Sequence, residues 1–160
     1  MCMKYVNAII QCFNDKSSGV FSVLNFSSII ESVSSEKKDD KYEIGGFSVA
    51  AFINIRGTRN TEIKDNPLNN GQTLNFRIRL TKLSEKPEEQ LSYDLKDFTI
   101  DLSDSDNLHE ACFKYMERIE VVNIDKLLVD KTGKYVLKLL VKDAASELYD
   151  VQMLHPIYVK

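Results

Sequence analysis

A chain of 160 residues with 43% hydrophobic and 28% charged side chains carries enough apolar material for one domain, and such a domain buries roughly 70% of its unfolded surface without help from a metal or disulfide. The formal charge of −3 and pI near 5.5 supply no long-range attraction to nucleic acid or anionic lipid, and no apolar run approaches the roughly 18 residues of a membrane span. Three cysteines, Cys2, Cys12 and Cys112, are odd in number and unpatterned, so free thiols in a reducing compartment, the cytoplasm, are expected.

The opening MCMKYVNAII has its apolar run broken by Asn7 and lacks a small-residue cleavage site, so it reads as a first strand and not as a leader. Within YVNAIIQCF (5–13), Val6, Ala8, Ile10 and Cys12 share one face; DKSSG then turns the chain into VFSVLNF (20–26), and the two runs read as a hairpin. Residues 31–46, ESVSSEKKDDKYEIGG, are polar and end in two glycines, which predicts a long connection. FSVAAFINI (47–55) points Phe47, Val49, Ala51, Ile53 and Ile55 inward; Phe52 breaks the rule on the outer face, which predicts that part of that face is covered. GTRNTEIKDNPLNNG (57–71) is a second irregular stretch, with turn signals at Asn66-Pro67 and Asn70-Gly71.

TLNFRIRLT (73–81) alternates most cleanly, with Leu74, Phe76, Ile78 and Leu80 to the core and Arg77 and Arg79 to water. After the charged turn SEKPEEQ, Leu91, Tyr93 and Leu95 alternate inward, but the parity slips to Phe98, Ile100 and Leu102, which predicts a bulge near Lys96-Asp97. NLHEACFKYMER (107–118) has capping-box spacing between Asn107 and Glu110 and an apolar stripe of Leu108, Ala111, Cys112 and Tyr115, so a short helix is expected there. IEVVNI, GKYVLKLLVK, ELYDVQM and PIYV return to strand, with Pro156 suited to an edge. The sum is an all-β fold: an antiparallel immunoglobulin-like sandwich of about eight strands with one short helical insert, in a single domain over residues 1–160.

VDKTGKYVLKLLVKD (129–143) places Asp130, Gly133 and Tyr135 where an immunoglobulin-like sandwich turns a corner and returns a tyrosine hydroxyl to the backbone. Gly19, Ser22 and Val23 fit a G-x-x-S-V pattern in the second strand; Gly133, Tyr135 and Leu139 fit a second pattern near the C-terminus, with Asp143 one place late. This order of features resembles a widespread uncharacterised bacterial β-sandwich family of the immunoglobulin-like kind, from which the chain departs in its connections at 31–46 and 57–71 and around 103–118. The resemblance implies a fold and transfers no catalytic residue.

Motifs for chemistry are lacking. His109-Glu110 has no second histidine four places on from the first, His155 has no Cys or His neighbour, and GGFSVAAF lacks both the Walker lysine and Rossmann spacing. Cys112 with His109 is the sole Cys/His pair, and DLSDSDN (101–107) lacks the glycine and distal glutamate of a calcium loop. No metal, cofactor or catalytic residue is therefore expected. Arg56, Arg77 and Arg79 fall on outward strand positions with Arg59 nearby, and pairing of their two strands would make a basic patch. Long loops on a rigid scaffold, Phe52 and these arginines point to a non-enzymatic protein-binding module, an accessory or inhibitory protein of bacterial or phage origin, monomeric or weakly dimeric and away from membranes. The alternative is a nucleic-acid-binding sandwich that uses the arginine face.

Overall fold

Strict two-residue alternation leaves one apolar face per strand, and two such faces must be buried against each other. The computed structural model describes residues 6–13, 29–30, 40–44, 47–56, 72–103, 109–110 and 114–159. In it, a four-stranded sheet runs in the order β1 (Val6–Phe13), β4 (Phe47–Arg56), β8 (Lys114–Ile124), β7 (His109–Glu110). A five-stranded sheet runs β2 (Ile29–Ile30), β11 (Asp150–Val159), β10 (Gly133–Asp143), β5 (Thr73–Lys82), β6 (Ser92–Asp101), and β3 (Tyr42–Ile44) pairs with β9 (Leu127–Val129). All described ladders are antiparallel except β2 with β11. Phe47, Val49, Ala51, Ile53 and Ile55 from one sheet and Leu74, Phe76, Ile78 and Leu80 from the other lie in one buried cluster with Tyr135, Leu137, Leu139 and Val141. The two sheets thus share a single core between their inner faces, and no sheet closes on itself.

The helix expected over 107–118 is not found in the described part of that range, 109–110 and 114–118, which is strand. His109–Glu110 and Lys114–Ile124 are strands paired antiparallel, with His109 opposite Tyr115 and Glu110 opposite Lys114. A helix of that length is marginal by itself, whereas β8 gains an unbroken ladder against β4, from Phe47↔Ile124 to Arg56↔Tyr115. Among the described residues the one helical element is a 3-10 turn at Pro87–Glu89. Eleven described strands exceed the expected eight because the short β2, β3, β7 and β9 add to the count. The expected partner of β1 at 20–26 and the connection at 57–71 lie outside the described residues.

The parity slip in β6 is a bulge. Ile78 faces Lys96 while Arg79 faces Asp94, so Leu95 has no cross-strand partner and the ladder resumes its alternation on either side. Lys96 consequently takes the inward parity of Ile78, and its Nζ reaches across to Glu120 Oε1 of the other sheet at 2.5 Å, where Arg118 also binds that carboxylate at 3.2 Å. Burial by itself would raise the Glu120 carboxyl, but Lys96 and Arg118 outweigh it and hold it below the usual carboxylate range. One extra residue in β6 thereby supplies the ion pair that ties the two sheets at this side.

At the corner before β10, Lys131 carbonyl accepts the Tyr135 hydroxyl, and the Tyr135 ring is fully buried. The Tyr93 hydroxyl, from β6, donates to Asp130 Oδ2 at 2.5 Å and accepts the Asp130 backbone N–H at 2.9 Å. The carboxylate and the backbone N–H of Asp130 are thus both tied to the edge strand of the sheet. Gly133 has φ of +122°, and a Cβ placed there would meet Lys82 Nζ only at 3.6 Å, so the backbone and not crowding demands glycine. Gly133→Ala is expected to cost about 1–3 kcal/mol of stability in urea unfolding, and an unchanged midpoint would contradict the strain.

These hydroxyls also carry a pH signature. Burial, then the bond to Asp130, pushes the Tyr93 phenol up to about 12, and burial with the neighbouring Tyr93 and Asp130 raises Tyr135 further. A raised phenol favours its neutral form in the fold, so this contribution is complete below the ordinary value of 10.0 and is lost as pH climbs through about 12. Of the seven tyrosines, two are therefore expected to ionise late in a spectrophotometric titration and together with alkaline unfolding. A titration in which all ionise reversibly near pH 10 would refute this.

Candidate partner-binding surface

Strand pairing fixes which side chains meet on the outer face of the five-stranded sheet. Register places Leu154, Lys138, Arg79 and Asp94 in one row across β11, β10, β5 and β6. The next row holds Val151, Leu140, Arg77 and Asp97, and two residues the other way stand Pro156, Val136, Thr81 and Ser92. The face is therefore divided along its length, ionic over β5 and β6 and apolar over β11.

The ionic half is internally paired. Arg77 donates to both Asp97 oxygens, at 2.7 and 2.6 Å, and its other terminal nitrogen lies 3.1 Å from Asp94 Oδ2. Arg79 donates to the two Asp94 oxygens at 2.5 and 3.1 Å. The bulge makes this possible: arginines two apart on β5 meet aspartates three apart on β6 because Leu95 drops out of the ladder. The fork-like bonds hold Asp97 below the usual carboxylate range and raise Arg77 further above its own. Two cations stand over the Tyr149 ring, the Arg77 guanidinium 5.0 Å and Lys142 Nζ 4.9 Å from its centroid.

The apolar half is open. Val151 is 44% exposed, Leu154 53% and Tyr158 44%, above a floor of Val136 and Leu140 that is almost fully buried. Spaced three and four residues apart along the chain, these three share a face because the β10–β11 ladder shifts register between Leu139 and Leu140. Strict alternation would have put Val151 and Leu154 on opposite sides, so sequence periodicity missed the surface. The one legible signal was Lys134, Lys138 and Lys142, every fourth residue of GKYVLKLLVKD and hence all on one face of a strand.

The predicted residues do not come together as one site. Arg56 closes β4 in the four-stranded sheet, whereas Arg77 and Arg79 belong to β5 in the other sheet, so the strand pairing on which a common basic patch depended is absent. Arg59 lies outside the described residues. Phe52 is half-buried on the outer face of the four-stranded sheet, opposite Ile9 and Ile119, and that face points away from the arginines. On it Ser48 and Ala50 are buried, so part of the face is covered, while Ile119 is exposed. Asp130, Gly133 and Tyr135 form the corner described above. Of the possible chemistry, Cys112, Asp104 and Asp106 lie outside the described residues; Asp101 accepts bonds from the Ser103 backbone and hydroxyl, the arrangement of a turn. Searches against protein-family models, curated proteins and solved structures found no match.

Proposed function

We propose that this chain is a non-enzymatic binding module of cytoplasmic bacterial or phage origin, an immunoglobulin-like sandwich that docks on a partner protein through the outer face of its five-stranded sheet. The observation that carries this reading is the contiguous exposure of Val151, Leu154 and Tyr158 beside Tyr149 and a paired ionic stripe. Monomers rarely leave large apolar side chains grouped on a face without a use for them, and aromatic and aliphatic anchors inside a polar rim are the anatomy of an interface. The immunoglobulin-like assignment is supported by the Tyr135 corner. Arg77 and Arg79 enter this reading as the rim. The nucleic-acid alternative has less support, since both guanidiniums are already bound to carboxylates that a phosphate would have to displace.

The test is capture from nuclease-treated extract of the source cell at high salt, with wild type, Leu154→Glu and a distant control, Lys86→Glu. A partner held by wild type and the control but weakened about tenfold or more by Leu154→Glu is expected, as for loss of an interface anchor. Equal capture by all three would remove this face from the reading. The protein itself is expected to run as a monomer or weak dimer.

A further inference from the structure

Lys134, Lys138 and Lys142 stand at successive alternate outward positions of β10, about 13 Å apart from one to the next. None makes a salt bridge among the described residues: of the carboxylates on this face, Asp94 and Asp97 are taken by Arg77 and Arg79, and Asp101 bonds Ser103 at the far end of β6. The face therefore holds uncompensated positive charge in a chain whose formal charge is −3. Lys138 directly neighbours Leu154 in its row, and Lys134 neighbours Tyr158, so these two cations line the apolar strip, one strand spacing of about 4.8 Å away, while Lys142 lies over the Tyr149 ring at the end of the strip.

Resting on the binding-module reading above, we infer that the partner presents an acidic and apolar segment: its Asp and Glu carboxylates pair with Lys134, Lys138 and Lys142 while its apolar side chains cover Val151 and Leu154. Charge complementarity selects this occupant over two others. A second copy docking by two-fold symmetry would set this cationic face against itself. A nucleic acid would satisfy the lysines and leave Val151 and Leu154 uncovered, although covering them is where an interface gains its apolar contribution.

The probe is a displayed library of random peptides, panned against the immobilised full chain at low salt, with K134E/K138E/K142E as the counter-target and a labelled thymidine oligonucleotide in parallel. Enriched peptides are expected to interleave Asp or Glu with apolar residues, to weaken as salt rises, and to bind the triple variant about tenfold or more weakly, as loss of charged contacts predicts. The triple Lys→Gln variant, which keeps side-chain length, is expected to fall between the two; circular dichroism and thermal melting verify that both variants are folded. Enrichment without acidic bias, no enrichment, equal binding to the triple variant, or an oligonucleotide bound more tightly than any peptide would each overturn the inference. In the extract experiment, a partner lost with Leu154→Glu but kept by the lysine variants leaves the binding-module reading standing and refutes the acidic class. Capture indifferent to Leu154→Glu refutes the reading itself.

Discussion

Tyr135→Ala is expected to destabilise the domain by about 3–5 kcal/mol, a large part of the 5–15 kcal/mol that holds a typical domain together. Two losses add. The ring is fully buried beside Leu137 and Leu139 in the shared core, with Lys82 Nζ 6.0 Å above it, and its removal leaves a cavity that two packed sheets cannot collapse. The hydroxyl closes the corner on the Lys131 carbonyl, which would be left without its donor. Tyr135→Phe isolates the second loss, and about 1–2 kcal/mol is expected from it. Urea unfolding of the three proteins measures both. A phenylalanine variant as stable as wild type would show that water replaces the hydroxyl and that the corner contributes packing alone. The same variant separates causes in the pH behaviour: burial is the main influence on Tyr93, so its late ionisation is expected to persist without its neighbour's hydroxyl.

Deleting Thr99 is expected to prevent folding, while deleting Leu95, four residues earlier in the same strand, is expected to leave a folded protein. Leu95 is the residue without a cross-strand partner, so its removal keeps Ile78 opposite Lys96 and Arg79 opposite Asp94 and turns β6 into a regular strand. Tyr93, Lys96 and Phe98 remain inward, and both aspartates remain facing their arginines. The loss is the partly buried Leu95 side chain, about 1–2 kcal/mol on the scale for aliphatic burial. Without Thr99 the ladder must slip by one place, which carries to the outside either Phe98, breaking its stack on Phe76 with ring centroids 5.1 Å apart, or Ile100 and Leu102. Soluble expression and thermal melting of the two deletions decide the matter. Equal tolerance of both would mean that the register of β6 is not held by its inward residues.

Where a strand alternated, its two faces were settled by the residues alone. Burying Leu74, Phe76, Ile78 and Leu80 leaves Arg77 and Arg79 no place but the outside, whatever the strand pairs with, and the slip from Leu95 to Phe98 required an extra residue before any partner was known. Gly133 and Tyr135 were likewise legible, since a turn beside a buried phenol has few solutions. What each strand lies against is a property of the assembled sheets, because cross-strand bonds join residues that are distant in the chain and leave little trace in local pattern. Hence Arg56 parted from Arg77, and residues 114–118, helical by spacing, became strand once β4 offered them a ladder. The candidate surface was hidden for the same reason: Val151, Leu154 and Tyr158 share a face only through a register shift against β10, and the arginines are neutralised only because β6 bulges where β5 does not. Local alternation chose the inward and outward sides of the strands that alternate cleanly; tertiary pairing chose the neighbours and the register shift in β11, and with them which outward groups were left free to bind.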